Sequence, residues 1–381
     1  MSGRRHPSDD GRAASAAIWD APVRLFHWTL AALVAIAAAT GFLAPDVWLG
    51  AHVWAGYGVA GLLVFRAVWG VHGSEYSRFD SFPLDPRGAV SYLRGLANGR
   101  PAHGLGHNPL GAAMIVLLGA ALLGVVLSGA IALGGEEKQG PLAGVTTYAV
   151  GRAARTVHET LSYILLGLVG AHILGVAAHG VIARENLVWP MVTGRKTLAL
   201  GAPAPRLRPA RPAKAAAALA LAATGGAIAV YALARLPPLG VRALADNPAY
   251  RKECGSCHAV LHPSLLPASS WRALMDSLGD HFGEDASLDP GTAEGVSAWL
   301  AANAAETWDT EASHRLRAEA AADPRRVTAT PYWRRKHAGL DAALFESRAI
   351  GGKTNCSACH RDAASGRFDD QAIAIPKEIS R

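Results

Sequence analysis

Residues 157–182 read VHETLSYILLGLVGAHILGVAAHGVI, with one acidic side chain and no Lys or Arg. About 20 apolar residues suffice to cross a ~30 Å hydrocarbon core as a helix, so this stretch predicts a membrane span. Two of its residues do not suit lipid. His158 and His172 are 14 positions apart, close to four helical turns, so they share one face and lie about 21 Å apart along the axis. Ionisable groups at such depth face a bundle interior and mark a cofactor or ion path.

Working outward, four more stretches have the length and apolarity of a span: 25–43, 51–71, 110–135 and 215–236. The chain has 381 residues, of which 50% are hydrophobic and 18% charged. That composition excludes a disordered chain and argues against a wholly soluble enzyme. The net charge of +7 is unevenly placed: residues 1–244 hold 21 Lys and Arg against 11 Asp and Glu, and residues 245–381 hold 16 against 19. Positive charge in the apolar part sets membrane orientation and argues against a nucleic-acid partner.

Residues 1–22 are polar, with Arg4, Arg5 and Arg12, and carry no small-residue cleavage site, so no cleavable signal peptide is expected. Arg78, Arg87, Arg94 and Arg100 lie between spans two and three. Arg184, Arg195, Lys196, Arg206, Arg208, Arg211 and Lys214 lie between spans four and five. The loop between spans one and two has no Lys or Arg, and that between three and four balances three against Glu136 and Glu137. The positive-inside rule puts the N-terminus in the cytoplasm and, after five spans, the C-terminus outside.

On that topology His27 and His172 share the cytoplasmic level, and His52 and His158 the outer one. Two imidazole pairs at two depths are what two six-coordinate b haems require from facing helices. His179 is a rival ligand seven residues past His172, set aside as too deep for His27 to match. His72, His103 and His107 are expected to be solvated. Gly56, Gly58, Gly61, Gly167, Gly170 and Gly175 could open space for a flat macrocycle, and close helix packing explains them as well.

All four cysteines fall in two C-x-x-C-H blocks, Cys254-Gly-Ser-Cys257-His258 and Cys356-Ser-Ala-Cys359-His360. The thiols of such a block form thioethers to haem vinyl groups, and the adjacent imidazole becomes the proximal iron ligand. Two covalent c haems are expected, which agrees with the loop charges in placing the tail outside the cytoplasm. Within that tail 270–279, 291–305 and 310–322 read as helices.

Trp19-Asp20, Val23-Arg24-Leu25-Phe26-His27-Trp28, His52, Gly56-Tyr57, Phe65-Arg66, Trp69-Gly70 and Gly106-His107-Asn108-Pro109 resemble the bacterial cytochrome b561 family. So do His158-Glu159, His172, Arg184-Glu185-Asn186-Leu187, Met191 and Gly194-Arg195-Lys196. The resemblance covers about 18–199 and implies a four-helix, two-haem carrier exchanging electrons with the quinone pool. Glu253-Cys254, Cys257-His258, Leu266-Pro267, Trp271-Arg272, Asp280-His281-Phe282-Gly283, Thr330-Pro331, Arg335-Lys336-His337 and Cys356 to His360 resemble the dihaem cytochrome c family over about 249–377. It implies two bis-His haems passing electrons to a small oxygen-binding monohaem cytochrome.

The remaining c-haem ligands come from His262, His281, His314 and His337. His262 follows His258 too closely to reach the opposite haem face, and no His follows His360. His281 is therefore assigned to the first haem. His337, beside Arg334, Arg335 and Lys336 that could meet propionates, is assigned to the second. His314 reads as a surface helix residue, and Met275 as a weaker alternative that the resemblance does not favour.

The expected fold is all-α: a four-helix transmembrane dihaem bundle, a fifth transmembrane helix and a mostly helical periplasmic dihaem c-type domain. Its parts are a cytoplasmic tail (1–17), the b561-like domain (18–199), a linker (200–214), the fifth helix (215–236), a tether (237–248) and the dihaem domain (249–381). The expected function is electron transfer in the bacterial inner membrane, from quinol through two b and two c haems to a soluble periplasmic cytochrome. Two alternatives stand beside it: superoxide oxidation or reverse flow that reduces quinone, and a cytochrome subunit anchoring another redox enzyme.

Overall fold

The computed structural model describes residues 15–43, 48–99, 105–198, 207–319 and 323–376. The N-terminal tail to residue 14 with its three arginines, Arg100, His103, Arg206 with the first part of the linker (200–206), and the end of the 310–322 helix lie outside the described residues.

The membrane part consists of α1 (Ala21–Leu43), α2 (Leu49–His72), α3 (Pro86–Ala97), α4 (Pro109–Gly135), α5 (Tyr148–Ala183), α6 (Val188–Thr193) and α7 (Pro212–Ala234). Of these, α1, α2, α4, α5 and α7 are long and apolar enough to cross a membrane. Leu25, Ile36, Val64, Leu117, Ile173 and Leu221 stand exposed along them, as lipid-facing residues do. Helix α5 starts at Tyr148, well before the apolar stretch at 157. Its added turns carry Arg152 and Arg155, which pair with Glu136 at 3.4 and 3.3 Å. Charges with a partner let the helix continue where hydropathy alone would end it.

The contacts divide the chain into two compact units, Met1–Leu127 with His158–Ala227, and Ser128–Val157 with Ile228–Arg381. At the middle of the first, Val59, Ala121, Leu122 and Leu165 form a buried core with Leu33, Leu63 and Leu118 packed against it. Asp20 organises one end. Its carboxylate accepts from Val23 N at 3.0 Å, opening α1, and from Trp69 Nε1 (3.0 Å), Ser74 Oγ (2.7 Å) and Ser77 Oγ (3.0 Å), tying α1 to the end of α2. A short ribbon absent from the sequence reading, β1 (Ser15–Ala17) antiparallel to β2 (Arg195–Thr197), closes the same end.

The second unit contains α8 (Pro248–Cys254), α9 (Ala268–Met275), α10 (Pro290–Ala302), α11 (Glu311–Ala318), α12 (Pro331–Lys336) and α13 (Ala342–Glu346). Three of these helices start alike. Asn247-Pro248, Asp289-Pro290 and Thr330-Pro331 each place a side-chain acceptor over the first free N–H groups and a proline where no N–H is needed. Thr310 and Ser313 form a reciprocal capping box at α11. Leu266, Trp271, Met275, Val296, Leu300 and Leu316 build the core, and Trp271 Nε1 donates to Pro263 O at 2.8 Å.

The α4–α5 connection, 136–147, belongs to this unit and lies against it. Lys138 Nζ donates to Asp309 Oδ2 at 2.8 Å and to Thr146 O at 3.1 Å. The Gln139 amide donates to Asp369, and Arg367 Nη2 donates to Lys138 O at 3.1 Å. The expected tether is pinned as well: Leu239 N donates to Ala143 O at 2.8 Å and Asp309 N to Gly240 O at 3.0 Å.

Candidate haem sites

Each b-level histidine sits in a helix interior, one on each of two facing helices. His27 of α1 meets His172 of α5 with ring centroids 6.5 Å apart, and His52 of α2 meets His158 of α5 at 6.0 Å. The tail repeats the spacing with other elements. His258, after α8, faces His281 at 6.2 Å, and His337, ending α12, faces His360 at 6.2 Å. An imidazole nitrogen binds a first-row metal at about 2.0 Å and the ring centre lies about 1.1 Å behind it, so two imidazoles trans on one iron hold centroids about 6.2 Å apart. The residues present fit a bis-imidazole haem at all four places.

The second nitrogen of several rings is already committed. His52 Nδ1 donates to Ala37 O at 3.0 Å and His158 Nδ1 to Val125 O at 2.9 Å. His258 Nδ1 donates to Ala259 O at 2.9 Å and His337 Nδ1 to Trp333 O at 2.8 Å. A carbonyl on Nδ1 fixes the tautomer, orients the ring and leaves Nε2 to the metal, as is usual for ligating histidines. Gly41 makes room for one of them, since a Cβ there would lie 3.0 Å from the His52 ring. Among the six glycines singled out, Gly58 packs on Leu33, while a Cβ at Gly56 or Gly175 would meet nothing within 4 Å. Gly56 and Gly175 follow His52 and His172 by about one turn, so their open space adjoins the ring pairs.

Around His337 and His360 lies a cleft lined mostly by apolar and aromatic side chains. Cys356, Cys359, Tyr332, Trp333, Phe345 and Phe368 are among its lining residues. None of the four cysteines is in a disulfide, which leaves all of them to haem thioethers. Lys336 lines the cleft and donates to Asp370 Oδ2 at 3.2 Å. Arg335 reaches Glu319 at 2.5 Å instead. At the first site the basic neighbours are Arg325 and Arg326, 5.4 and 3.9 Å from the Phe282 ring that adjoins His281. Their distance in sequence from His281 hid them. Phe282 and Phe368, each beside a ligand candidate, adopt φ of +59° and +53°, a conformation that bulky residues take only where the surroundings enforce it.

The other histidines have different duties. His179 is buried, with Nδ1 2.6 Å from Tyr92 Oη and Nε2 3.5 Å from Glu185. Asn108 Nδ2 donates to Tyr92 Oη at 3.0 Å and Lys196 pairs with Glu185 at 2.6 Å. His107 is not solvated. It packs between Trp19 and Phe82, 4.7 Å from each, and burial followed by nearby Arg66 lowers its pKa to about 4. His262 is buried edge-on to Trp308 with Nδ1 2.8 Å from Ser264 Oγ. His314 is half-buried on α11, bonding Asp309 at 2.8 Å and stacking on Tyr148 at 4.5 Å. Met275 is spent in the core.

Comparison with known proteins matches residues 18–194 to the family model for prokaryotic cytochrome b561 and residues 250–368 to that for dihaem cytochrome c. The chain joins a cytochrome b561 to a dihaem cytochrome c. Over 226 residues, 50% of this chain and 93% of the relative, it is 26% identical to a probable Ni/Fe-hydrogenase B-type cytochrome subunit of Cupriavidus necator. A crystal structure of DHC from Rhodobacter sphaeroides is 37% identical, covering 33% of this chain and 100% of its own, with a TM-score of 0.26. The diheme cytochrome c of Shewanella baltica is 32% identical, covering 34% and 94%, with a TM-score of 0.27. The protein is thus a multi-pass membrane cytochrome of electron transfer, with haem b and haem c as the cofactors its two families use.

Proposed function

We propose that this fused cytochrome oxidises quinol in the bacterial inner membrane and delivers the electrons, by way of two b and two c haems, to a soluble periplasmic cytochrome. The carrying observation is that one chain offers four imidazole pairs at 6.0–6.5 Å. His27 with His172 and His52 with His158 would hold the b irons; His258 with His281 and His337 with His360 the c irons, on thioethers from Cys254, Cys257, Cys356 and Cys359. A haem with both axial positions filled takes up and releases single electrons and has no open site for substrate. The loop charges support a cytoplasmic N-terminus and a periplasmic dihaem domain. Val59, Leu122 and Leu165 form a buried apolar core within the same bundle.

The test uses the purified chain in detergent. Pyridine haemochrome spectra should give two b and two c haems per chain, and a quinol analogue should reduce all four in stopped flow. Reoxidation by an oxidised monohaem cytochrome c should follow. Four haems that quinol leaves oxidised and superoxide reduces would overturn the direction of flow.

The name of the Cupriavidus relative favours a second reading, in which the chain anchors the catalytic subunit of another redox enzyme and accepts its electrons. A stoichiometric partner retained on purification, with no quinol reduction by the isolated chain, would establish that reading instead.

A further inference from the structure

Resting on that electron path, we infer that the α4–α5 loop docks the dihaem domain so that electrons enter it at the His337–His360 site, with Lys138 as the positioning residue of the dock. The starting point is a lysine where no lysine should be buried. Lys138 stands in a polar loop, yet its side chain is 1% exposed and its φ is +54°. Taking an ammonium from water is costly unless it is paired and fully hydrogen-bonded, and positive φ adds strain. Asp309 and the Thr146 carbonyl satisfy the charge. A loop that served only to connect two helices would need none of this.

Asp309 is the hub of the dock. Besides Lys138 it accepts from Tyr148 N at 2.8 Å, at the first residue of the helix that carries His158. Its own N–H donates to Gly240 O, so the segment leading into the domain is fastened at the same point. A chain with Pro237-Pro238 reads as a swinging tether; here its backbone is held.

The dock also has a side. Three further bonds of the loop fall on Arg367, Asp369 and Asp370, the last through its N–H to Glu137 Oε2 at 3.3 Å. Those residues flank Phe368, whose ring lies 5.4 Å from His360, and Asp370 lines the cleft of His337 and His360. The loop is thereby bound to the wall of one haem c site. The step itself moves one electron from a ferrous haem b iron, left ferric, to a ferric haem c iron, left ferrous; no bond forms or breaks.

The experiment compares the full chain with Lys138→Ala, Asp309→Asn and Lys138→Arg. Removing one partner of a buried ion pair shifts the equilibrium it holds by about a hundredfold. Quinol should reduce the b haems at the parental rate in every variant. Haem c reduction should slow by about tenfold or more in Lys138→Ala and Asp309→Asn and recover in part in Lys138→Arg, with all haem potentials unchanged. Unchanged haem c rates overturn the dock, whereas a parent whose b haems ignore quinol overturns the proposed function alone. Trypsin then decides the dock without any donor: cleavage at Arg242 should rise by about tenfold or more in Lys138→Ala, and equal cleavage overturns it. The point of entry is read in the parent chain. Cys356→Ser with Cys359→Ser serves only to assign which ferric haem c EPR signal belongs to the His360 site. In freeze-quenched samples of the parent that signal should be the first of the two to disappear after quinol. Disappearance of the other signal first overturns the entry assignment.

Discussion

The membrane bundle and the dihaem unit reach one ring spacing, 6.0–6.5 Å, by opposite means. In the bundle all four histidines lie inside long helices, α1, α2 and α5. Lipid leaves no other place for them, because backbone that is not in a helix would expose unsatisfied N–H and C=O groups there. In the dihaem unit the candidates sit where elements end: His258 just beyond α8, His281 after a single 3₁₀ turn, His337 at the end of α12, His360 after another such turn. Water satisfies loop backbone, and the thioethers, not the imidazoles, would hold the macrocycle. Where a haem is held only by its ligands the protein must be rigid around them; where it is tied covalently the chain is free to fold around it.

The largest effect should come from breaking that contrast directly. On the proposed ligation His158→Ala would remove one ligand from a group with no covalent bond to the chain, so the b content should fall from two haems to one per chain while the c content stays at two. His281→Ala should leave all four haems in place and convert one c haem to a high-spin spectrum, because Cys254 and Cys257 would still hold it. Pyridine haemochrome counts and visible spectra check both. Equal loss from the two sites would show that the membrane and tail sites hold haem in the same way.

A smaller effect sharpens the comparison without removing anything. His337→Met keeps a ligand at the end of α12 and exchanges imidazole for thioether, which favours the ferrous iron. One c-haem potential should rise on the order of 100 mV, within the ~0.8 V that axial ligands and their surroundings span, with both b potentials unmoved. A potentiometric titration that does not move excludes His337 as a ligand.

How much could be read from sequence follows the same division. Helix register is periodic, so the 14-residue interval between His158 and His172 announced one shared face, and loop charge supplied the levels that pair them with His52 and His27. The five spans were legible for the same reason. In the tail only C-x-x-C-H is local enough to read; His281 and His337 needed a process of exclusion and a family resemblance, because turns have no period. What stayed hidden is long-range. No local signal marks Lys138 as buried beneath Asp309, 171 positions away, or brings Arg325 and Arg326 to Phe282. His107 read as solvated and His314 as a surface helix residue because each is polar and outside a span, yet aromatic rings from distant segments pack against both.

The subtlest expected effect probes the loop that the two regions share. Glu137 faces Asp370, Glu311 and Asp369, with Lys336 between Asp370 and Glu311, at 3.2 and 3.9 Å. Burial first, then the neighbouring carboxylates, raise its pKa from 4.5 to about 8. Glu137 therefore binds its proton more tightly in the folded unit than in the unfolded chain. Stability that depends on that proton is fully present below about pH 4.5, declines across the interval above it, and is lost as pH rises through about 8. Thermal unfolding of the dihaem unit, followed by haem c absorbance, should drop by a few degrees between about pH 6 and pH 9. Glu137→Gln, which keeps the neutral shape and cannot ionise, should flatten that profile and hold the midpoint above the parental one at alkaline pH. A parental slope surviving in Glu137→Gln would place the titrating group on Glu311, whose pKa burial also raises, and not on the loop.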